Sequence, residues 1–214
     1  MGNKINKVSY TTTNTYETLN ELTQKTKNIW IVFHGIGFLS RFFLRYFDEL
    51  NADENYMIAP QAPSKYYLNG EYKHVGASWL TKENTVLETE NLINYINAVL
   101  AEEKIPGERS IIVLGFSQGV SIAMRYLAKT QFKCQKLVLY AGGIPNELKK
   151  SDFGFLIEYK TEIMSIVGDA DEYLTPERLK NEHEKLVALF GDTYEELTFK
   201  GGHEVKKEII NNLV

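Results

Sequence analysis

The seven residues Val113-Leu114-Gly115-Phe116-Ser117-Gln118-Gly119 run an apolar, strand-like segment straight into a helical pattern, Val120-Ser121-Ile122-Ala123-Met124-Arg125-Tyr126-Leu127, with no linker between. A strand that becomes a helix within so few residues needs a tight turn, and the glycines on either side allow neighbouring backbones to come close enough to form it. The G-x-S-x-G spacing puts Ser117 at that turn with its hydroxyl pushed out of the sheet, the pattern of a nucleophile elbow. Such a join requires a sheet for the strand and a packed layer for the helix.

The rest of the chain repeats that alternation. Asn28–Phe33 is a continuous apolar run, as expected of a strand covered on both faces. Tyr56–Ala59, Ile111–Leu114, Lys136–Tyr140, Thr161–Val167 and Thr193–Phe199 read as further strands. Helices are predicted over Phe38–Leu50, where apolar residues recur at helical spacing and form a core-facing stripe rather than a lipid-entry surface, and over Val86–Leu100, Pro176–Phe190 and Val205–Leu213. Residues 7–18, rich in Thr, Tyr and Val, predict one or two edge strands with Asn14 near a turn. Pro60-Gln61-Ala62-Pro63 stops the Tyr56 strand, and a long loop is expected from there to about Leu80. This rhythm implies an α/β fold with a mainly parallel central sheet, helices on both faces, and functional loops at the strand C-termini.

At 214 residues with 43% apolar content, the chain is expected to form one domain over 1–214. A net charge of −4 and only isolated, solvated pairs at Lys149-Lys150 and Lys206-Lys207 argue against a nucleic-acid or anionic-membrane surface. Cys134 is a lone cysteine with no metal-ligand spacing near it, so no disulfide framework and no metal site are expected, and a cytoplasmic setting fits best. Met1–Lys7 has no apolar core of signal-peptide length, and no apolar stretch is long enough for stable membrane insertion.

A serine hydroxyl is a poor nucleophile at neutral pH, so Ser117 needs an imidazole to take its proton and a carboxylate to hold that imidazole. The order Ser…Asp/Glu…His, with both partners on loops after later strands, is met by Asp171 and His203. Asp171 sits in Gly168-Asp169-Ala170-Asp171-Glu172, between an apolar strand and a helix, and His203 follows Gly201-Gly202 after the last strand. Asp169, two residues earlier, is the alternative orienting acid. His34 reads as a structural hydrogen-bonding residue, and His74 and His183 as solvated ones. Acyl transfer also needs donors for a developing oxyanion. The N–H of Gln118, after the nucleophile, and that of Ile36, in His34-Gly35-Ile36-Gly37, fit this role through their backbones rather than their side chains.

With these residues placed, the chain resembles the α/β-hydrolase superfamily, and within it the small phospholipase/carboxylesterase family that includes acyl-protein thioesterases. The resemblance spans nearly the whole chain. It rests on His34-Gly35-Ile36-Gly37, Ala59-Pro60-Gln61-Ala62-Pro63, Gly76-Ala77-Ser78-Trp79, Gly115-Phe116-Ser117-Gln118-Gly119, Gly168 through Pro176, and Gly202-His203. It implies a triad of Ser117, Asp171 and His203, oxyanion donors at Ile36 and Gln118, and Trp79 as a wall near the substrate cleft. It further implies a small acyl ester or thioester substrate and no cofactor. Val120 departs from the glycine common in the family, which bears on helix packing more than on chemistry. The alternative readings are a peptidase or acyltransferase on the same fold, since both use this nucleophile chemistry, or a non-catalytic binding module.

Overall fold

The computed structural model describes residues 2–214; Met1, the first residue of the N-terminal stretch read above, lies outside them. The strands are β1 (Tyr16–Leu19), β2 (Asn28–Phe33), β3 (Asn55–Pro60), β4 (Ser64–Leu68), β5 (His74–Ser78), β6 (Ser110–Phe116), β7 (Lys136–Tyr140), β8 (Glu162–Gly168) and β9 (Tyr194–Phe199). The helices are α1 (Ser40–Phe43), α2 (Thr85–Glu103), α3 (Gln118–Thr130), α4 (Gly154–Glu158), α5 (Pro176–Phe190) and α6 (Lys207–Asn211). Seven strands form one sheet in the order β1-β3-β2-β6-β7-β8-β9, and β4 and β5 form a separate two-stranded sheet. Every neighbouring pair in the large sheet is parallel except β1 with β3. This is the α/β-hydrolase fold.

Period-two side-chain direction sorts the apolar strand residues into two layers. Ile29, Ile31 and Phe33 of β2, Ile58 of β3, Val113 of β6 and Leu139 of β7 pack against α2, α3 and α5 through Leu92, Ile96, Val120, Leu127 and Leu189. Trp30 and Val32 of β2, Met57 of β3, Leu114 of β6 and Tyr140 of β7 face the opposite layer, with Phe43, Phe47, Ile210 and Leu213. A strand that must fill both layers has no place for polar side chains. Ile29 through Phe33 are accordingly all fully buried.

Helix ends follow from local chemistry. Thr175 caps α5 by accepting the Arg178 N–H on its hydroxyl, Pro176 occupies the first turn, and Gly191 follows the last residue at φ +62°. The bounds of α5, like those of β2 and β7, coincide with the sequence expectation.

Three segments differ from expectation. Of residues 7–18 only the last three are in a strand, β1, which runs on to Leu19, because its partner β3 ends at Pro60, opposite Tyr16. The predicted helix over Phe38–Leu50 is α1 followed by a 3₁₀ turn at Leu44–Tyr46 and further single turns. Beyond Phe43 the buried residues Leu44, Phe47 and Leu50 recur every third position, and Phe47 N–H to Leu44 O and Leu50 N–H to Phe47 O close i→i+3 rings at that period. The long loop expected before Leu80 contains the antiparallel hairpin β4–β5, registered from Ser64 opposite Ser78 to Leu68 opposite His74. Its first strand is exposed from Ser64 to Tyr67 and its second is buried only from Gly76 to Ser78, so it lacks the apolar run of a core strand.

No helix among the described residues is long and apolar enough to cross a membrane. Near the N-terminal ends of β2 and β3, the Trp30 Nε1–H donates to Asn55 Oδ1 (3.0 Å), which also accepts from Asn28 Nδ2 (3.1 Å), while Asn55 Nδ2 donates to Asn51 O (3.1 Å). Asn55 is 3% exposed, so water cannot replace these bonds. Asn55→Ala is expected to lower the unfolding free energy by about 2 to 3 kcal/mol, measured by chemical denaturation, because it leaves the buried indole N–H without an acceptor.

Candidate active site

Ser117 links β6 to α3 at φ +53° and ψ −118°, a conformation that costs a non-glycine residue on the order of 1–3 kcal/mol. The surroundings hold it there. Its N–H donates to Tyr140 O of β7 (2.9 Å), and its carbonyl accepts the Val120 N–H (3.1 Å). A Cβ on Gly119 would overlap the carbonyl of Phe33, and one on Gly115 would overlap the backbone of Gly119. These two glycines therefore let the first turn of α3 lie directly on the strand ends. Val120 is fully buried, and its side chain fills the space beside Gly142.

The two downstream residues meet Ser117 at this edge of the sheet. His203 Nε2 lies 2.8 Å from Ser117 Oγ, and His203 Nδ1 lies 2.7 Å from Asp171 Oδ2. With a carboxylate at Nδ1, that nitrogen carries the proton and Nε2 is left to accept the serine O–H. The Asp171 side chain has no exposed surface and that of His203 only 15%. The other carboxylate oxygen of Asp171 accepts the Tyr173 N–H (2.9 Å). Phe116 lies tilted against the imidazole with centroids 5.1 Å apart, and Tyr173 meets it edge-on at 4.8 Å. The ring is thus fixed by packing as well as by hydrogen bonds.

Asp169 has a different task. Its Oδ1 accepts the Gly201 N–H (3.0 Å), while Asp169 N–H donates to Phe199 O and Ala170 N–H to Gly201 O, each at 2.9 Å. The loop carrying Asp171 is in this way bonded to the loop carrying His203. The sequence reading prefers Asp171 and keeps Asp169, on the same short loop, as the alternative; the two side chains point to different partners.

Ile36 and Gln118 flank the serine. The Gly37 N–H is taken by Ala77 O (2.8 Å), whereas the N–H groups of Ile36 and Gln118 have no acceptor among the described residues. The latter is the first N–H of α3, which no earlier turn can satisfy. The Gln118 side chain, expected to matter little, in fact ties down the end of β5: Oε1 accepts the Trp79 N–H (2.8 Å), and Nε2 donates to Leu80 O (2.8 Å) and Ser78 Oγ (3.1 Å).

The expectation for Trp79 is corrected. Its side chain is 1% exposed and does not line the cleft. Instead its Nε1–H donates to His34 O (2.8 Å), and the indole packs on the His34 ring at 4.9 Å. A large aromatic with a donor at its tip serves as a strut, and it braces the residue two positions before Ile36.

The cleft at Ser117 has a volume of about 430 Å³ and is lined by Ile36, Phe38, Phe116, Tyr173 and Leu174, together with small residues and Arg178. Arg178, which the sequence reading did not single out, enters it from the first turn of α5. A larger hollow of about 750 Å³ on the outer face of α2 and α3 is lined by residues such as Thr85, Ile93, Arg125 and Glu147. It contains no nucleophile paired with a base.

His34 is fully buried, with Nδ1 2.8 Å from Gly35 O and Nε2 accepting the Ala62 N–H (3.2 Å). Burial pushes its imidazole down from the ordinary 6.5 to about 4, partly opposed by the bond to Gly35 O. Above pH 6.5 the group is neutral in both folded and unfolded chains. Between pH 6.5 and 4 only the unfolded chain takes up the proton, so stability falls as pH falls, by about 3 kcal/mol across the window. In His34→Gln, unfolding free energies measured from pH 7 to 4 should decline less steeply by about that amount.

A model of the phospholipase/carboxylesterase family matches residues 14–213. No curated protein matches the chain in sequence. Among solved structures, acyl-protein thioesterase 2 from Zea mays superposes with a TM-score of 0.68 at 13% identity, covering 94% of this chain and 96% of that one. A phospholipase/carboxylesterase from Dyadobacter fermentans gives 0.66 at 20% identity over 96% and 98%. A carboxylesterase from Mesorhizobium loti gives 0.69 at 15% identity over 92% of each chain.

Proposed function

The chain belongs to the phospholipase/carboxylesterase family, and from that premise we propose that it hydrolyses carboxylic esters or acyl thioesters through Ser117, His203 and Asp171 by way of an acyl-enzyme. The observation that carries this reading is the unbroken hydrogen-bond chain from Ser117 Oγ through both ring nitrogens of His203 to the buried carboxylate of Asp171. The small cleft, about 430 Å³ and mainly apolar in its lining, suits a small acyl substrate.

In this mechanism Ser117 Oγ attacks the carbonyl carbon while His203 Nε2 takes the hydroxyl proton. Asp171 stabilises the imidazolium and keeps Nδ1 protonated. The carbonyl oxygen becomes an oxyanion facing the N–H groups of Ile36 and Gln118, each worth roughly 3 kcal/mol to the transition state. The positive end of α3 adds to the Gln118 donor. Collapse expels the alcohol or thiol, which leaves with the proton from His203. Water, deprotonated by the same Nε2, then attacks the acyl-serine, and the carboxylic acid departs as Ser117 regains its proton. Water alone closes this cycle. A cytoplasmic setting belongs to the same reading, and the buried, unpaired thiol of Cys134 suits a reducing compartment.

Ser117→Ala is expected to lower kcat on p-nitrophenyl butyrate by a factor on the order of 10⁴ or more. A fluorophosphonate should label Ser117, and His203→Ala should abolish rapid labelling. Retention of wild-type turnover by Ser117→Ala would discard the assignment. Asp171→Asn should cost on the order of 10³ to 10⁴ in kcat by presenting the wrong partner to Nδ1. Asp169→Asn should cost far less, since its carboxylate touches only backbone. Comparison of ester, thioester and peptide amide substrates of matched acyl group separates hydrolysis of small acyl groups from peptidase action.

A further inference from the structure

The side chains that line the cleft at Ser117 carry one fixed charge. Apart from the titratable imidazole of His203 and the phenol of Tyr173, the cleft lining consists of apolar residues, glycines, Ser121, Gln118 and Arg178, and contains no carboxylate. A guanidinium stays protonated at any physiological pH.

Arg178 is held in place by a backbone carbonyl, with the Glu182 Oε1 also 3.6 Å from the Cβ position of Gly143 but in no ion pair with the guanidinium. Its Nη1 donates to Tyr173 O (2.9 Å), and Nη2 lies 3.1 Å from where a Cβ of Gly143 would stand, so the missing side chain leaves room for the head group. The carboxylate one turn along α5, Glu182, is committed elsewhere: Oε2 accepts the Ile144 N–H (2.6 Å) and Oε1 pairs with Lys185 (3.0 Å). No carboxylate among the described residues forms an ion pair with Arg178. The first turn of a helix favours acidic side chains, so the helix dipole gives no reason for a cation here. Its one hydrogen bond, to Tyr173 O, leaves Nε and Nη2 without an acceptor among the described residues, and a cation so placed in the lining of the cleft at Ser117 points to a ligand.

We propose that Arg178 is a specificity-determining residue that binds an anionic group of the substrate, so that the preferred substrates are esters or thioesters bearing a second, non-reacting carboxylate or phosphate. The inference rests on the esterase reading above and narrows its substrate class. A planar guanidinium with free N–H groups binds a carboxylate or phosphate bidentately, and in a partly apolar cleft such a bond is stronger than in open water.

The test compares kcat/KM for matched pairs. In the acyl arm, monomethyl succinate, glutarate and adipate are set against methyl esters of monocarboxylic acids of equal length. In the leaving-group arm, the butyrate ester of glycerol 3-phosphate is set against glycerol monobutyrate. The wild type is expected to favour the anionic member by about tenfold or more in one arm, which locates the anion on the acyl or the leaving side. Arg178→Gln should reduce that ratio by about tenfold or more, and Arg178→Lys should retain part of it. Ratios near one in both arms, or an unchanged ratio in Arg178→Gln, would overturn the proposal. Equal losses on both members of a pair would do so too, because they would mean that Arg178 only supports the Tyr173 carbonyl. Turnover of neutral esters that depends on Ser117 but shows no anionic preference defeats this inference alone. Absence of Ser117-dependent turnover on every ester defeats the esterase reading with it.

Discussion

At Gly119 the first turn of α3 rests on the carbonyl of Phe33 with no space for even a methyl group. That contact determines where α3 begins, and so where Ser117 must turn. Because β6 lies between β2 and β7, the same turn is braced on one side by Phe33 and on the other by Tyr140 O. A strained backbone persists only when its neighbours over-determine it, and here they are the central strands of a doubly covered sheet. The doubly covered centre of the sheet thus carries a strained, partly exposed serine.

Around that point the loops are bonded to one another rather than left to pack independently. Trp79 reaches from the end of β5 to His34 O, and Gln118 reaches from α3 to the backbone of Trp79 and Leu80. Gln61 and Ala62 close the other side: Ala62 N–H meets the His34 ring, while the Gln61 side chain accepts from Ser40 N (3.0 Å) and Ser40 Oγ (2.9 Å). The segment Ala59-Pro60-Gln61-Ala62-Pro63 is therefore the seat of a buried neutral imidazole. Opposite, Asp169 fastens the acid loop to the histidine loop.

How legible these features are in the sequence depends on how local their causes are. β2, β7 and α5 can be read to the residue because apolar runs, Thr175, Pro176 and Gly191 act within a few positions. Ser117 and His203 can be singled out because tight turns require glycines next to them. The hairpin β4–β5 escapes notice because its strands are mostly exposed and show no apolar alternation, while the Phe38–Leu50 stripe suits a 3₁₀ period as well as an α-helical one. Trp79, Arg178 and the choice between Asp169 and Asp171 depend on side-chain direction in space. Residue spacing carries no information on that.

The hairpin forms its own two-stranded sheet, joined to the large one by no strand pairing, with its turn at Asn69-Gly70-Glu71-Tyr72-Lys73 well away from its root at Ser78. Insertions or deletions at that tip touch no strand pairing of the large sheet and none of the hydrogen bonds that join Ser117, His203 and Asp171. The fold therefore separates a segment whose length can change from the sheet that fixes the turn at Ser117.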